Sequence, residues 1–196
     1  MRIIAGKAKG RKLQAPAGWE TRPVTDRIKE ALFSIWQPYL YEASFLDLFS
    51  GSGSVGLEAM SRGAAFTVMA DQSRAAVRVI QENIKHCGLS DTAHQVYEQN
   101  IFSVLPYLKK QEKRFDIIYA DPPFTVDELF EKTMEALSDG SLLADEGMIV
   151  IRTRTGRSLA EQFGCLQKFR MKTYGESQVH FYKAVMDEEK SEEASL

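Results

Sequence analysis

The stretch Asp47-Leu-Phe-Ser-Gly51-Ser-Gly53-Ser-Val-Gly56 constrains the fold of this chain more than any other. It follows the apolar run Ser44-Phe-Leu-Asp-Leu48 and precedes a short helical pattern through Met60. Glycines at G-x-G-x-x-G spacing between a strand and a helix let the backbone turn tightly and come close to a ligand. A helix that follows a strand this closely returns the chain for a parallel neighbour, which places the loop at the C-terminal edge of an α/β sheet.

The rest of the chain keeps that rhythm. Phe66-Thr-Val-Met-Ala70 reads as the second strand and is followed by a helix with Ala76, Val79, Ile80, Asn83 and Ile84 at helical spacing. A third strand is expected near His94–Tyr97, with a helix around Val104–Leu108. Phe115–Ala120 is the fourth strand, with a helix from about Val126 to Leu137, and Gly147–Thr153 is the fifth. Leu166–Tyr174 and Gln178–Val185, separated by Gly175-Glu-Ser, form a hairpin, so one of them runs antiparallel. The expected architecture is α/β: a doubly wound, mostly parallel seven-stranded sheet closed by a C-terminal antiparallel hairpin strand. Ahead of it, Arg2–Ala5 and Arg11–Gln14 flank Gly6-Lys-Ala-Lys-Gly10 as a β-hairpin extension with a basic turn. Thr25 is a good N-cap for a helix carrying Ile28, Leu32 and Ile35, which Pro38 is expected to end. The chain divides into a basic hairpin and loop (1–24), the α/β domain (25–186) and an acidic tail (187–196) with nothing apolar enough to order it.

The fourth strand delivers Asp121-Pro122-Pro123-Phe124 to the ligand-binding edge. Asp121 can accept a hydrogen bond from an exocyclic NH2, and the carbonyl of Pro122 can accept a second. Paired prolines fix φ and stiffen the turn. Phe124 offers a face on which a base can stack. Taken alone, the motif serves equally well as a strand stop with a core aromatic.

The glycine loop decides between these readings. With Asp71 about 20 residues on, at the end of the second strand, the loop alone would suggest a dinucleotide whose ribose Asp71 holds. Asp47 argues otherwise, because a carboxylate four residues before the first glycine opposes a pyrophosphate at a helix N-terminus. It suits a ligand with a positive charge and no phosphate, such as S-adenosylmethionine, which carries a sulfonium and an α-amino group. Asn100 falls where an adenine ring should lie. Its amide can pair with the ring edge, cap the following helix, or do both.

The net charge of −2 hides an asymmetry. Residues 1–29 carry Arg2, Lys7, Lys9, Arg11, Lys12, Arg22, Arg27 and Lys29 against Glu20 and Asp26, while the last ten residues carry five acids against Lys190. A basic arm on a mildly acidic body suggests a polyanion met at one end. Cys87 and Cys165 lack metal-ligand spacing, and with three histidines in the chain no metal site is expected. No apolar run reaches the length of a membrane span, and the early cations exclude a signal peptide, so a cytoplasmic location is expected. No large apolar stripe is left over, which makes a monomer the default.

Both motifs together resemble class I S-adenosylmethionine-dependent methyltransferases with a Rossmann-like fold. More narrowly, the chain is similar to the RsmD family, bacterial enzymes that methylate the N2 amine of a guanine in 16S ribosomal RNA of the small subunit. The resemblance rests on Met1-Arg-Ile-Ile-Ala-Gly6, Gly10-Arg-Lys-Leu13, Arg22-Pro-Val-Thr-Asp-Arg27, the glycine loop, Gly56-Leu-Glu-Ala59, Ser61-Arg-Gly63, Asp121-Pro-Pro-Phe124 and Tyr174-Gly175. It implies catalytic roles for Asp121, Pro122 and Phe124. It implies cofactor contacts from Thr25, Asp47, Ser50, Gly51, Gly53, Asp71 and Asn100, with Thr25 and Arg22 closing the cofactor pocket from the N-terminal side. Lys7, Lys9, Arg11, Lys12, Arg22, Arg27 and Tyr174 are the expected RNA contacts. The alternatives are an adenine-N6 methyltransferase acting on DNA or RNA, a non-catalytic RNA-binding assembly factor and, weakest, a dinucleotide oxidoreductase.

Overall fold

The computed structural model describes residues 1–16 and 24–185. Arg22 and the acidic run 187–196 therefore lie outside the described residues.

Helix α1 (Asp26–Leu40) starts at Thr25, whose Oγ1 accepts the Ile28 N–H at 3.3 Å. Pro38 does not end it. The proline sits in the last turn, where its missing N–H removes one hydrogen bond, and buried Trp36 and Leu40 on either side hold that turn against the sheet. The chain then alternates through β1 (Ser44–Leu48), α2 (Ser54–Ser61), β2 (Phe66–Asp71), α3 (Arg74–His86), β3 (His94–Glu98), α4 (Ile101–Lys110), β4 (Phe115–Ala120), α5 (Glu128–Leu137) and β5 (Leu143–Arg154). The closing strands are β6 (Gln162–Phe163), β7 (Leu166–Tyr174) and β8 (Ser177–Ala184).

These strands form one sheet in the order β3-β2-β1-β4-β5-β8-β7-β6. Strands β1 to β5 pair in parallel, and β8 inserts antiparallel between β5 and β7. The seven expected strands are joined by β6, a two-residue addition at the edge. It is too short to carry a periodic signal in sequence.

Two apolar layers cover the sheet. Val104, Leu105 and Leu108 of α4 and Phe130, Met134 and Leu137 of α5 pack on Leu46, Val68, Ile118 and Ile149. On the other face Phe33 and Trp36 of α1 pack on Phe45 and Tyr119. Alternate residues of β1 thus feed opposite layers, as strand geometry requires.

The N-terminal arm follows the course of a hairpin without its ladder. Arg2 and Lys12 form an isolated bridge, supported by Ile3 N–H to Arg11 O and Gly10 N–H to Ile3 O. The arm spends its other donors on α2 instead. Ile4 and Ala5 give their N–H groups to the buried Glu58 carboxylate at 2.8 and 3.0 Å, and Lys7 N–H goes to Ser61 O. Ile3, Ala8 and Leu13 dock in a third apolar cluster with Leu57, Met60, Ile80 and Ile84. Gly6 permits this fit. It holds φ +82°, and a Cβ there would lie 1.8 Å from Ser61 O.

Candidate active site

The C-terminal ends of β1, β2, β4 and β5 open into one cleft of about 1150 Å³. Its lining includes Asp47, Asp71, Asp121, Asn100, Phe124 and Arg152. Parallel pairing produces this convergence, because each strand that ends here releases its next residues over the same edge.

Asp47 lies near the end of β1 and is fully buried. Its Oδ2 accepts the Gly56 N–H at 2.9 Å, and among the described residues no cationic side chain pairs with it. Burial pushes its carboxyl up to about 8, with Asp121 and Asp71 adding to the shift and the Gly56 N–H opposing it. Gly56 makes the contact possible, since a Cβ there would lie 2.7 Å from Met69 and 3.2 Å from Asp47 Oδ2. Within the loop, Phe49 holds φ 62°, a costly conformation for an aromatic residue, and it lines the cleft. Gly51 and Gly53 also hold positive φ.

The remaining expected cofactor residues divide by what they already do. Asp71 Oδ2 accepts Gly51 N–H at 2.9 Å and Oδ1 accepts Ser73 N–H at 2.8 Å, so it braces the glycine loop while facing the cleft. Ser50 Oγ donates to Asp47 O and accepts from Ala70 N–H, tying β1 to β2. That hydroxyl is engaged with backbone, although the residue lines the cleft. Asn100 caps α4 through Phe102 N–H and donates to Gln72 Oε1 at 3.1 Å. Thr25 caps α1 at the cleft margin. Gly51 and Gly53 shape the loop without lining the cleft.

At the end of β4, Asp121 is already engaged. The register sets Ala120 against Ile151, so the next residues, Asp121 and Arg152, face each other. Arg152 Nε donates to Asp121 Oδ1 at 2.9 Å and Nη2 to Oδ2 at 2.8 Å, while Nη1 donates to Ser177 Oγ at 3.1 Å. Burial pushes the Asp121 carboxyl up, and the Arg152 guanidinium opposes that shift. The Arg152 Cζ sits 4.8 Å from the centre of the Phe124 ring. Tyr119 lines the same cleft, with its buried hydroxyl beside Asp121 and Arg152. Sequence reading missed Arg152 and the exposed, cleft-lining Arg154. A cation at the end of an otherwise apolar strand was the available signal.

The expected RNA contacts separate in space. Arg27 and Tyr174 line the cleft. Lys7, Lys9, Arg11 and Lys12 lie on the arm and do not line it. The arm's turn is fastened to Ser61, at the far end of α2 from the glycine loop, roughly 11 Å along that helix.

The cleft chemistry fits a cationic ligand. Asp47 is a buried carboxyl with no counterion among the described residues, Asp71 keeps acceptor capacity toward the cleft, and no phosphate-binding lysine follows the glycines.

A family profile described as "Conserved hypothetical protein 95" matches residues 1–183. The chain is 37% identical over 160 residues to ribosomal RNA small subunit methyltransferase D of Escherichia coli K12, covering 81% of this chain and 77% of that protein. It is 33% identical over 161 residues to the protein of the same name from Haemophilus influenzae, covering 81% of each. A solved structure of a hypothetical protein from Thermus thermophilus superimposes with a TM-score of 0.80 at 30% identity, over 92% of this chain and 98% of that one.

Proposed function

Since this chain belongs to the conserved hypothetical protein 95 family, the RsmD methyltransferases, we propose that it transfers a methyl group from S-adenosylmethionine to the exocyclic N2 amine of a guanine in 16S ribosomal RNA. The observation that carries this reading is the meeting of Asp121 and Phe124 with Asp47 and Asp71 over one cleft. A base-gripping edge and a cation-accepting loop there face the same space.

The chemistry asks mainly for position. An amine conjugated to a purine is a poor nucleophile, and the sulfonium cofactor supplies an electrophile that is already activated. Asp121 and the carbonyl of Pro122 accept the two amine hydrogens and turn the nitrogen lone pair toward the methyl donor. Nitrogen gains positive charge in the transition state, and the Asp121 carboxylate stabilises it there. The proton need not leave before attack. Phe124 supports the base, Asp47 answers the amino-acid end of the cofactor, and Asp71 its ribose hydroxyls. A paired guanine hides its amine, so the target is unpaired or flipped out.

Methyl transfer to small ribosomal subunits tests the assignment. Asp121→Ala is expected to lower the rate by at least about 100-fold while S-adenosylmethionine still binds, as loss of a transition-state contact requires. A variant with near wild-type transfer contradicts it.

A further inference from the structure

In the proposed mechanism the target base lies on Phe124 and gives one amine N–H to Asp121 and the other to the Pro122 carbonyl, and the neighbouring N1–H of guanine falls to the second Asp121 oxygen. In the structure both positions are taken by one side chain. Arg152 satisfies both Asp121 oxygens with a parallel pair of N–H donors and lies over the Phe124 ring. Phe130 approaches the same ring at 6.2 Å, and Phe124 packs against the α4–α5 core layer, so the Arg152 position is the one open to the cleft. The pair is well sheltered, with side-chain exposures of 8% for Arg152 and 15% for Asp121.

The chemical likeness is specific. Carbon 2 of guanine is bonded to N1, N2 and N3, so that edge of the base is itself a guanidine. N1–H and one N2–H point the same way in one plane, as Nε–H and Nη2–H of arginine do. Adenine presents one amine beside a bare ring nitrogen and cannot offer the same pair. We infer that Arg152 is a built-in stand-in for the target guanine, filling the base's seat between Asp121 and Phe124 until the base displaces it. The inference rests on the guanine-N2 reading above.

The stand-in serves two ends. The guanidinium opposes the upward shift that burial imposes on the Asp121 carboxyl and keeps it correctly turned while the site waits. Displacement by a neutral base takes the cation away from the Asp121 carboxyl, which then faces the nitrogen as positive charge develops there. The Ser177 hydroxyl, which accepts from Nη1 at the start of β8, fixes the waiting position.

The test is binding of guanosine to the protein saturated with S-adenosylhomocysteine, which keeps nucleosides out of the cofactor site. Arg152→Ala is expected to bind guanosine about tenfold or more tightly than the wild type, a gain of about 1.4 kcal/mol, with no gain for adenosine. Guanidinium ion at millimolar concentration is expected to compete with guanosine in the variant. Unchanged or weaker guanosine binding in a variant that melts normally and binds S-adenosylhomocysteine overturns the inference. Arg152→Lys retains the cation without the fork and covers the case in which the alanine variant does not fold. A smaller gain in guanosine binding supports the stand-in, and a loss overturns it. The nucleoside methylated by the wild type is read separately. N2-methylguanosine with no gain in guanosine binding defeats the stand-in alone, whereas N6-methyladenosine defeats both.

Discussion

Two aspartates at adjacent strand ends are tuned differently by their neighbours. Asp121 has Arg152 against it; Asp47 has a single backbone N–H and no cation. In the fold Asp47 holds its proton up to about pH 8, whereas an unfolded chain releases it near pH 4. The folded state therefore binds more protons across that window, and the contribution of Asp47 to stability falls as pH rises from about 4 to 8, then levels off. Asp47→Asn is expected to flatten that slope and to be more stable than the wild type at pH 9 by a few kcal/mol, read by urea denaturation. The same variant is expected to lose S-adenosylmethionine affinity, the usual exchange of function for stability. Calorimetry of the wild type below pH 8 should show a proton released as the cationic ligand binds, visible as a heat that depends on the buffer. At this scale the sequence was half legible. Asp47 and Asp121 stand in recognisable motifs. Arg152 lies 31 residues from Asp121 and becomes its partner only through the register of β4 against β5.

The element that departs most from its sequence reading is the arm. Its charge count suggests a cationic hairpin free to meet RNA, but two of the cations in that count are used internally. Lys29 is buried against Glu58 at 3.1 Å and donates to Arg2 O and Ser54 Oγ, while Arg2 pairs with Asp26. Burial pulls the Lys29 ammonium down, and the Glu58 carboxylate opposes that shift. Glu58 also receives Arg62 Nε at 2.8 Å and two arm N–H groups, so it fastens α1, α2 and the arm at once. Glu58→Ala leaves the buried Lys29 ammonium without its counterion and two arm N–H groups without partners, and is expected to cost about 3–5 kcal/mol. Gly6→Ala is expected to unseat the arm with a smaller loss, because the clash with Ser61 O is confined to one turn. Limited proteolysis should then cut within the arm of either variant while sparing the wild type. Which lysines of a basic segment end up buried is set by tertiary packing, which composition cannot report.

The whole molecule joins a wide, mainly parallel sheet to a cleft at one edge and a basic turn on its flank. The strand–helix order was legible in the alternation of apolar runs and glycine turns, and so was the antiparallel close. Tyr174 and Gly175 reach the cleft rim because β7 runs in the same direction as β5. Lys7 and Lys9 lie away from the cleft, and we propose that they meet RNA backbone beyond the target nucleotide. Replacing both with Ala is expected to weaken RNA binding without changing the rate at saturation. It should also reduce the slope of log K against log salt by about 2. Among the described residues no helix is long and apolar enough to cross a membrane. The most direct measurement supplies labelled S-adenosylmethionine and small ribosomal subunits from cells lacking this gene, then identifies the methylated nucleoside in the digested RNA. N2-methylguanosine that disappears with Asp121→Ala is the predicted result. Label in N6-methyladenosine, or no label on subunits or naked RNA despite tight cofactor binding, would contradict the account.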